Sequence, residues 1–469
     1  MGCVLMQTLL KKSEQKKRRG VALVLSALLC LAFIPVIGLA IDGSIAYLVR
    51  LKVSTALDAA VVAAARSLNV GANSQAQATY AQSVAQEVFN ADLPTTKDWG
   101  VSNVSLSVSV GSVNASHLRY VTGTASATVP LTFMSLLGQK TVTVGLSATA
   151  QRRNLNVIVV LDHSGSMSSV IGQMDTDATD FVRSFAAGTD SVGLVTFAGS
   201  SFVAYTPKTT FLTDSPSVPT LIGEITTYNG GTNTASAVWM AYQQLQNLNQ
   251  TGAVNAIVVF TDGLANNFTG NFFGLVSTSA GCTGLTNPVT GVIGSDTGET
   301  VVFGLFNPTA TSLNDATETQ AAPQANGCNA ISNNGSLNES IGSYLTSLPS
   351  ADINGNSTNG TGTIGEYRPV TLTSINPVNV TNAGLNAFDD AANRVRSDGT
   401  LKPVIYTIGL GNNPGLPPDQ VLLARVANDP ASPSYNSAQP AGLFVFSPTI
   451  AQLHDAFLRI SAEVLRLSQ

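Results

Sequence analysis

Charge is scarce in this chain: Asp, Glu, Lys and Arg make up 11% of 469 residues, with only three histidines and four cysteines. So few nitrogen and sulfur ligands, at spacings that fit no zinc pattern, exclude a zinc-type site. No phosphate-cradling glycine loop ending in Lys-Ser or Lys-Thr appears, and no activated nucleophile pattern. Cations are short in the body of the protein. Residues 1–20 carry six of the 23 Lys and Arg and one of the 28 Asp and Glu, so the rest of the chain is net −10. An acidic body excludes the basic surface that phosphate backbones require, and no nucleic acid is expected as a partner. Nor is there a repeat period. What is abundant is apolar residues, 44% of the chain, which argues against overall disorder. The length suits two or three domains.

The longest charge-free apolar run is Val21–Ile41, between Lys11, Lys12, Lys16, Lys17, Arg18 and Arg19 on one side and Asp42 on the other. As a helix it is roughly 31 Å long, enough to cross a bilayer core. The preceding cations place the N-terminus in the cytoplasm and the body outside. The competing reading is a cleaved signal peptide, with Gly38-Leu39-Ala40 as the small-x-small site. The expected organisation is a basic cytoplasmic tail at 1–20, a transmembrane helix at 21–41 and an Ala-rich helical segment at 42–95. A small β-rich module follows at 96–152, then an α/β domain at 153–467.

The period changes justify those divisions. Ala46, Val49, Val53, Leu57, Ala60, Val61 and Ala64 recur at helical spacing. Val104, Leu106, Val108 and Val110 alternate with small polar residues, as do 122–129 and 141–149. From about 154, strand signals (155–161, 192–198, 202–206, 256–261, 403–409) alternate with helix signals (169–187, 216–226, 234–249, 381–397, 449–467). Such alternation predicts a doubly wound, mostly parallel sheet with helices on both faces, binding its ligands at the carboxyl ends of the strands. Residues 264–378 break the rhythm and are rich in Asn, Gly, Ser and Thr. They are too long for a loop and read as an insertion beside the candidate metal face, held by local strands and presenting a large irregular surface. Within it, Cys282 and Cys328 are candidates for a disulfide in an oxidising compartment.

One stretch carries most of the chemistry. Asp162-His163-Ser164-Gly165-Ser166 follows the buried-strand run Asn156–Leu161, so Asp162, Ser164 and Ser166 place three oxygen side chains around one point. Thr232, after Gly230-Gly231, and Asp262, ending the strand run Ala256–Thr261, can complete an oxygen-ligand set for a hard cation, Mg²⁺ or else Mn²⁺ or Ca²⁺. The plainer alternative is that Asp162 and Ser166 cap the next helix, and that Thr232 and Asp262 are turn residues. Asp162, His163 and Ser164 mimic a protease triad by composition alone, because neighbouring side chains diverge. His163 reads as an exposed loop residue, and His117 and His454 as surface or core. No catalytic role is expected, and the chain does not read as an enzyme.

In this order, Asp162-x-Ser164-x-Ser166, Thr232 and Asp262 resemble the metal-ion-dependent adhesion site of von Willebrand factor A (vWA) domains, over about 154–263 and 380–467. The resemblance implies direct metal contacts from Ser164, Ser166 and Thr232, and direct or water-mediated contacts from Asp162 and Asp262. It also implies an open coordination position for a carboxylate of a protein partner. Arg19-Gly20, the apolar span, Ile41-Asp42-Gly43 and Leu57-Asp58-Ala59-Ala60 are similar to the start of TadG-like proteins of the Tad (Flp) pilus system. Arg19-Gly20 also resembles a prepilin cleavage site, although Leu25 stands where that pattern has glutamate. The combined expectation is a single-pass protein of the bacterial inner membrane that binds pilus or envelope components in a metal-dependent way. The alternatives are an accessory subunit of an enzyme complex, or a structural envelope protein with a silent metal site.

Overall fold

Leu155, Val157, Val159 and Leu161 point to one side of a strand and Ile158 and Val160 to the other, all fully buried. A strand apolar on both faces lies in the middle of a covered sheet. That strand is β4 (Leu155–Asp162) in the computed structural model, which describes residues 2–93, 100–228, 230–274, 288–296, 301–315, 322, 345–359, 368–411 and 417–468. Side chains are described from 24 onward except 27, 30–32 and 34. The described chain forms two compact units, one of Met1–Ser67, Ala78–Gly111 and Tyr120–Ala150, the other of Leu68–Gln77, Ser112–Arg119 and Gln151–Gln469.

In the first unit, helix α1 (Gly2–Arg66) runs through the apolar stretch and the alanine-rich segment without a break. Pro35 lies inside it. Val53, Leu57, Ala60, Val61 and Ala64, spaced three and four apart, are buried as the periodicity predicts. Among the described residues no helix is long and apolar enough to cross a membrane, and several side chains of the 21–41 run lie outside those residues. Helix α2 (Ser74–Asp92) follows and buries Ala81, Ala85 and Phe89. Strands β1 (Ser102–Val110), β2 (Leu118–Pro130) and β3 (Thr141–Arg153) form a three-stranded sheet with β2 central. The alternating residues of the β-rich module thus form a real sheet.

The second unit holds the α/β domain. Its six-stranded sheet has the order β13 (Phe444–Ser447), β12 (Val404–Leu410), β7 (Val254–Thr261), β4, β5 (Ser191–Phe197), β6 (Ser201–Lys208). All neighbours are parallel except β5 and β6. Helices α3 (Ile171–Arg183), α4 (Val218–Ile222) and α8 (Leu453–Leu467) cover one face. Helices α5 (Thr234–Leu248), α6 (Pro377–Arg396) and α7 (Gln420–Val426) cover the other. Each fully buried Val, Leu or Phe contributes about 1.5–3 kcal/mol, so two such cores are the main source of the domain's stability. The chain leaves β4 towards β5, and returns through α5 to β7 on the opposite flank of β4. The topological switch point therefore lies between β4 and β7.

The local strands expected to hold the segment after Asp262 are present, and they join into more than an irregular surface. Strands β8 (Asn267–Gly274), β9 (Val289–Ser295), β10 (Val302–Phe306) and β11 (Leu345–Ser347) form a second, antiparallel sheet in the order β10-β9-β8-β11. Phe268, Phe272, Val289, Ile293 and Leu305 pack with Val380 and Ala383 of α6. A few large side chains on alternate positions of polar strands make this core, which average composition hides. Cys282 and Cys328, expected as a pair in this region, lie outside the described residues. Short elements β13 and α7 were not expected either; four to seven residues give too few periods to read.

Candidate functional site

Asp162 ends β4 and Asp262 follows β7, on adjacent strands whose last paired residues are Leu161 and Phe260. Parallel register brings both carboxylates to the same end of the sheet, at the switch point. Both are fully buried. Asp162 Oδ1 accepts the Ser164 backbone N–H at 2.8 Å, and its Oδ2 accepts the Thr261 hydroxyl at 2.6 Å. The first bond folds the chain back after β4 and turns Ser164 towards Ser166, their hydroxyls 3.2 Å apart. The Ser166 hydroxyl donates to Asp262 Oδ1 at 2.5 Å. The plainer alternative, helix capping by Asp162 and Ser166, is not what the structure has: α3 starts at Ile171 behind a 3₁₀ turn at Gly165–Ser169, and neither cap position, Val170 or Ser164, bonds through its side chain.

Thr232 arrives from the other side, just before α5. A Cβ built on Gly263 would lie 3.5 Å from Thr232 Oγ1 and 3.8 Å from Ser166 Oγ, so both hydroxyls converge on the turn that carries Asp262. The glycine directly before Thr232 has a steric reason. A Cβ at Gly231 would stand 2.2 Å from Asn267 Oδ1, so with any other residue the buried Asn267 amide on β8 must shift. Asn266 fixes the loop: its Oδ1 accepts the Thr232 N–H at 2.9 Å, and its Nδ2 donates to the Ser295 carbonyl of β9 at 2.7 Å. The second sheet is thus hydrogen-bonded to the loop that presents Thr232.

All five residues singled out from the sequence are brought together. The electrostatics of the cluster are adverse to its own charge. Burial pushes the Asp262 carboxyl up to about 7, and the Asp162 charge adds to it. Burial also raises the Asp162 pKa, against opposing hydrogen bonds from Ser164 and Thr261. Asp262 Oδ2 is buried without a hydrogen-bond partner. A buried carboxylate oxygen left unpaired is costly unless something positive meets it. Among the described residues no group of three or more His, Cys, Asp or Glu gathers to hold a metal, so the donor set here is two carboxylates and three hydroxyls. All-oxygen donors with one unpaired carboxylate oxygen fit a hard divalent cation, and do not fit zinc or copper.

Three residues were missed or misread in the sequence. Thr261 and Asn266 hold the site from behind, and their only sequence signal is position: one ends the strand before Asp262, the other opens the second sheet. His163 is the reverse case. It is buried rather than exposed, because the loop at 226–228 closes over it: its carbonyl accepts the Tyr228 N–H and its Nδ1 lies 3.2 Å from the Thr226 carbonyl. Burial lowers its pKa to about 4, so the ring is neutral and donates to Thr226. Its bond to Thr226, and those of Asp162 to Ser164 and Thr261, leave no triad geometry. His454 pairs with the buried Asp177 at 3.1 Å.

The family model of the von Willebrand factor type A domain matches residues 157–265. The model of putative Flp pilus-assembly TadE/G-like proteins matches residues 20–67. No curated protein matches the chain. Among solved structures it is similar to the pilus adhesin SpaC from Lactobacillus rhamnosus GG, with 10% identity and a TM-score of 0.37 over 78% of this chain and 34% of that one. It is similar to the PilB minor pilin of Streptococcus sanguinis, with 14% identity and a TM-score of 0.38 over 78% and 79%. It is also similar to the vWF domain of the type V pili tip protein Mfa5 from Porphyromonas gingivalis, with 17% identity and a TM-score of 0.36 over 68% and 97%. The chain spans about a third of the length of SpaC. The chain joins a TadE/G-like pilus-assembly segment at 20–67 to a von Willebrand factor type A domain matched at 157–265.

Proposed function

We propose that this protein is a membrane-anchored, extracytoplasmic binding module of a Tad (Flp) pilus system, which holds a divalent cation, Mg²⁺ by preference, and uses it to grip a carboxylate of a protein partner. Ser164, Ser166 and Thr232 would hold the ion with Asp162 and Asp262. The observation that carries the reading is Asp262 Oδ2, buried and unpaired in the turn on which the Ser166 and Thr232 hydroxyls converge. Two carboxylates balance the charge of a dication, but five protein oxygens leave a near-octahedral ion under-coordinated and still electrophilic, so a carboxylate from outside can take the open position. The five residues position oxygens around one point, an arrangement that serves recognition, and among the described residues of this site none is set up as a nucleophile with its base.

Anchoring rests on the charge-free run 21–41 and the cations before it, together with the TadE/G-like match across this stretch. It sets the cytoplasmic tail inside and the A domain outside the inner membrane.

The test is thermal denaturation and calorimetric titration of the full-length protein with Mg²⁺ or Mn²⁺, beside Asp262→Asn. At a hundredfold excess over Kd, the ion stabilises the parent by about 2.7 kcal/mol. Asp262→Asn keeps the fold, being nearly isosteric and less charged, and loses the metal response. No heat and no shift in the parent refutes metal binding. Capture of partners from membranes with and without EDTA tests the carboxylate grip: partners retained equally in EDTA refute it.

A further inference from the structure

Two leucines stand bare at the tip of the β2–β3 connection. Leu136 is 80% exposed and Leu137 66%, the two highest values among the described large apolar side chains. Single exposed leucines are ordinary; two in sequence at a hairpin tip form a patch that asks for a cover. The tip is held firmly. The carboxylate of Asp42, itself buried, accepts the backbone N–H groups of Thr132, Phe133 and Met134 at 3.0, 2.9 and 2.8 Å. These are the donors that a helical turn leaves open at its start, and Phe133, the residue at the cap of the 3₁₀ turn Met134–Leu137, supplies no side-chain bond of its own. Asp42 of α1 caps that turn in its place.

A second contact fixes the level at which the tip sits along α1. A Cβ on Gly38 would lie 2.4 Å from Cβ of Phe133, so the tip seats against the helix only because position 38 is glycine. Gly38 and Asp42 bracket the end of the charge-free run 21–41, where the helix turns from apolar to polar. Nearby on α1, Ile37 is 56% and Leu39 56% exposed. The bare leucines are therefore tied to the stretch of α1 at which a bilayer surface would lie. Lys140, exposed, follows the tip, and a long cationic side chain of this kind suits lipid phosphates.

We propose that the β2–β3 turn is a lipid-docking element, in which Leu136 and Leu137 enter the headgroup–acyl boundary of the bilayer that α1 crosses. This rests on the membrane-spanning reading of 21–41. Asp42 then has a use beyond marking the end of the span: it clamps the first turn of the outer module to the membrane surface.

The test places a photocrosslinker in the full-length protein in vesicles of phosphatidylethanolamine and phosphatidylglycerol. Leu136→p-benzoylphenylalanine is compared with Phe33→p-benzoylphenylalanine inside the apolar run and Ser109→p-benzoylphenylalanine. Ser109 pairs with Thr122, eight residues back from the tip end of β2, about 26 Å along the strand. Lipid adducts at 33 and at 136, at least tenfold above those at 109, support the proposal. Adducts at 33 with none at 136, or protein adducts at 136, overturn it while leaving the span intact. No lipid adduct at either 33 or 136 overturns the span and the docking together.

Discussion

The Thr261 hydroxyl donates to Asp162 Oδ2 at 2.6 Å, across the gap between β7 and β4. Both residues are buried, and they stand one step beyond the last paired residues of the two strands. Through this bond one strand holds the carboxylate of the other at the switch point of the sheet. The Thr261 hydroxyl also accepts the Gly263 N–H at 3.2 Å, so it shapes the turn that carries Asp262. It thereby serves both carboxylates of the site.

Thr261→Val removes that donor at nearly constant volume. Mg²⁺ affinity is expected to fall about ten- to a hundredfold, the range for groups that orient metal ligands from behind. Circular dichroism should remain that of the parent. Calorimetry showing parental affinity in the variant would leave Thr261 with a packing role only.

Asn266→Ala cuts the link between the second sheet and the Thr232 loop. It frees the Thr232 N–H and the Ser295 carbonyl, both bonded by the Asn266 amide. Two buried groups without partners should cost about 1–3 kcal/mol each. The telling readout is metal affinity, expected to fall with stability. Stability lost with affinity intact would mean that the loop holds Thr232 without help from β9.

Arg152 and Asp190 form a bidentate ion pair at 2.9 and 2.7 Å, with side-chain exposures of 2% and 0%. Asp190 also accepts the N–H groups of Leu155 and Ala186, so it ties the start of β4 to the end of the α3 region. Arg152→Met leaves that carboxylate buried without its cation, and should destabilise by about 3–5 kcal/mol in urea. A loss below about 1 kcal/mol would mean that the backbone donors suffice.

Asp175 of α3 adds a pH dependence of its own, away from the Asp262 site. Its Oδ1 is buried without a hydrogen-bond partner, and burial pushes its pKa up to about 7. A carboxyl whose folded pKa lies above its ordinary 3.8 favours the fold most when neutral. The stability it allows is complete below pH 4 and declines as pH rises through 7. Asp175→Asn should match the parent at pH 4 and exceed it at pH 8 in melting temperature. Equal melting temperatures at pH 8 would rule out the buried charge as a source of strain.

Some of this protein can be read along the chain because the signal is local. Strands β4 and β7 are unbroken apolar runs, and each is followed by an aspartate. The spacing of Ser164 and Ser166 puts both hydroxyls beside the first of these. The alanine periodicity of α1 is likewise a one-dimensional pattern. Local strands are legible in the insertion, but their joining into one sheet is not, because its core rests on a few phenylalanines spread among Gly, Asn and Thr, whose average looks like loop. His163 was misread because burial depends on the 226–228 loop closing over it, sixty residues away.

The five oxygen-bearing residues, the α/β alternation, the acidic body and the apolar run before it are legible along the chain, since composition and short-range periodicity carry those. Folding alone shows that Thr261 and Asn266 hold the site, that Asp262 keeps one oxygen unpaired, and that Asp42 caps a turn about ninety residues further on. Those facts depend on which strands become neighbours and where backbone donors are left open, and parallel pairing across distant segments sets both.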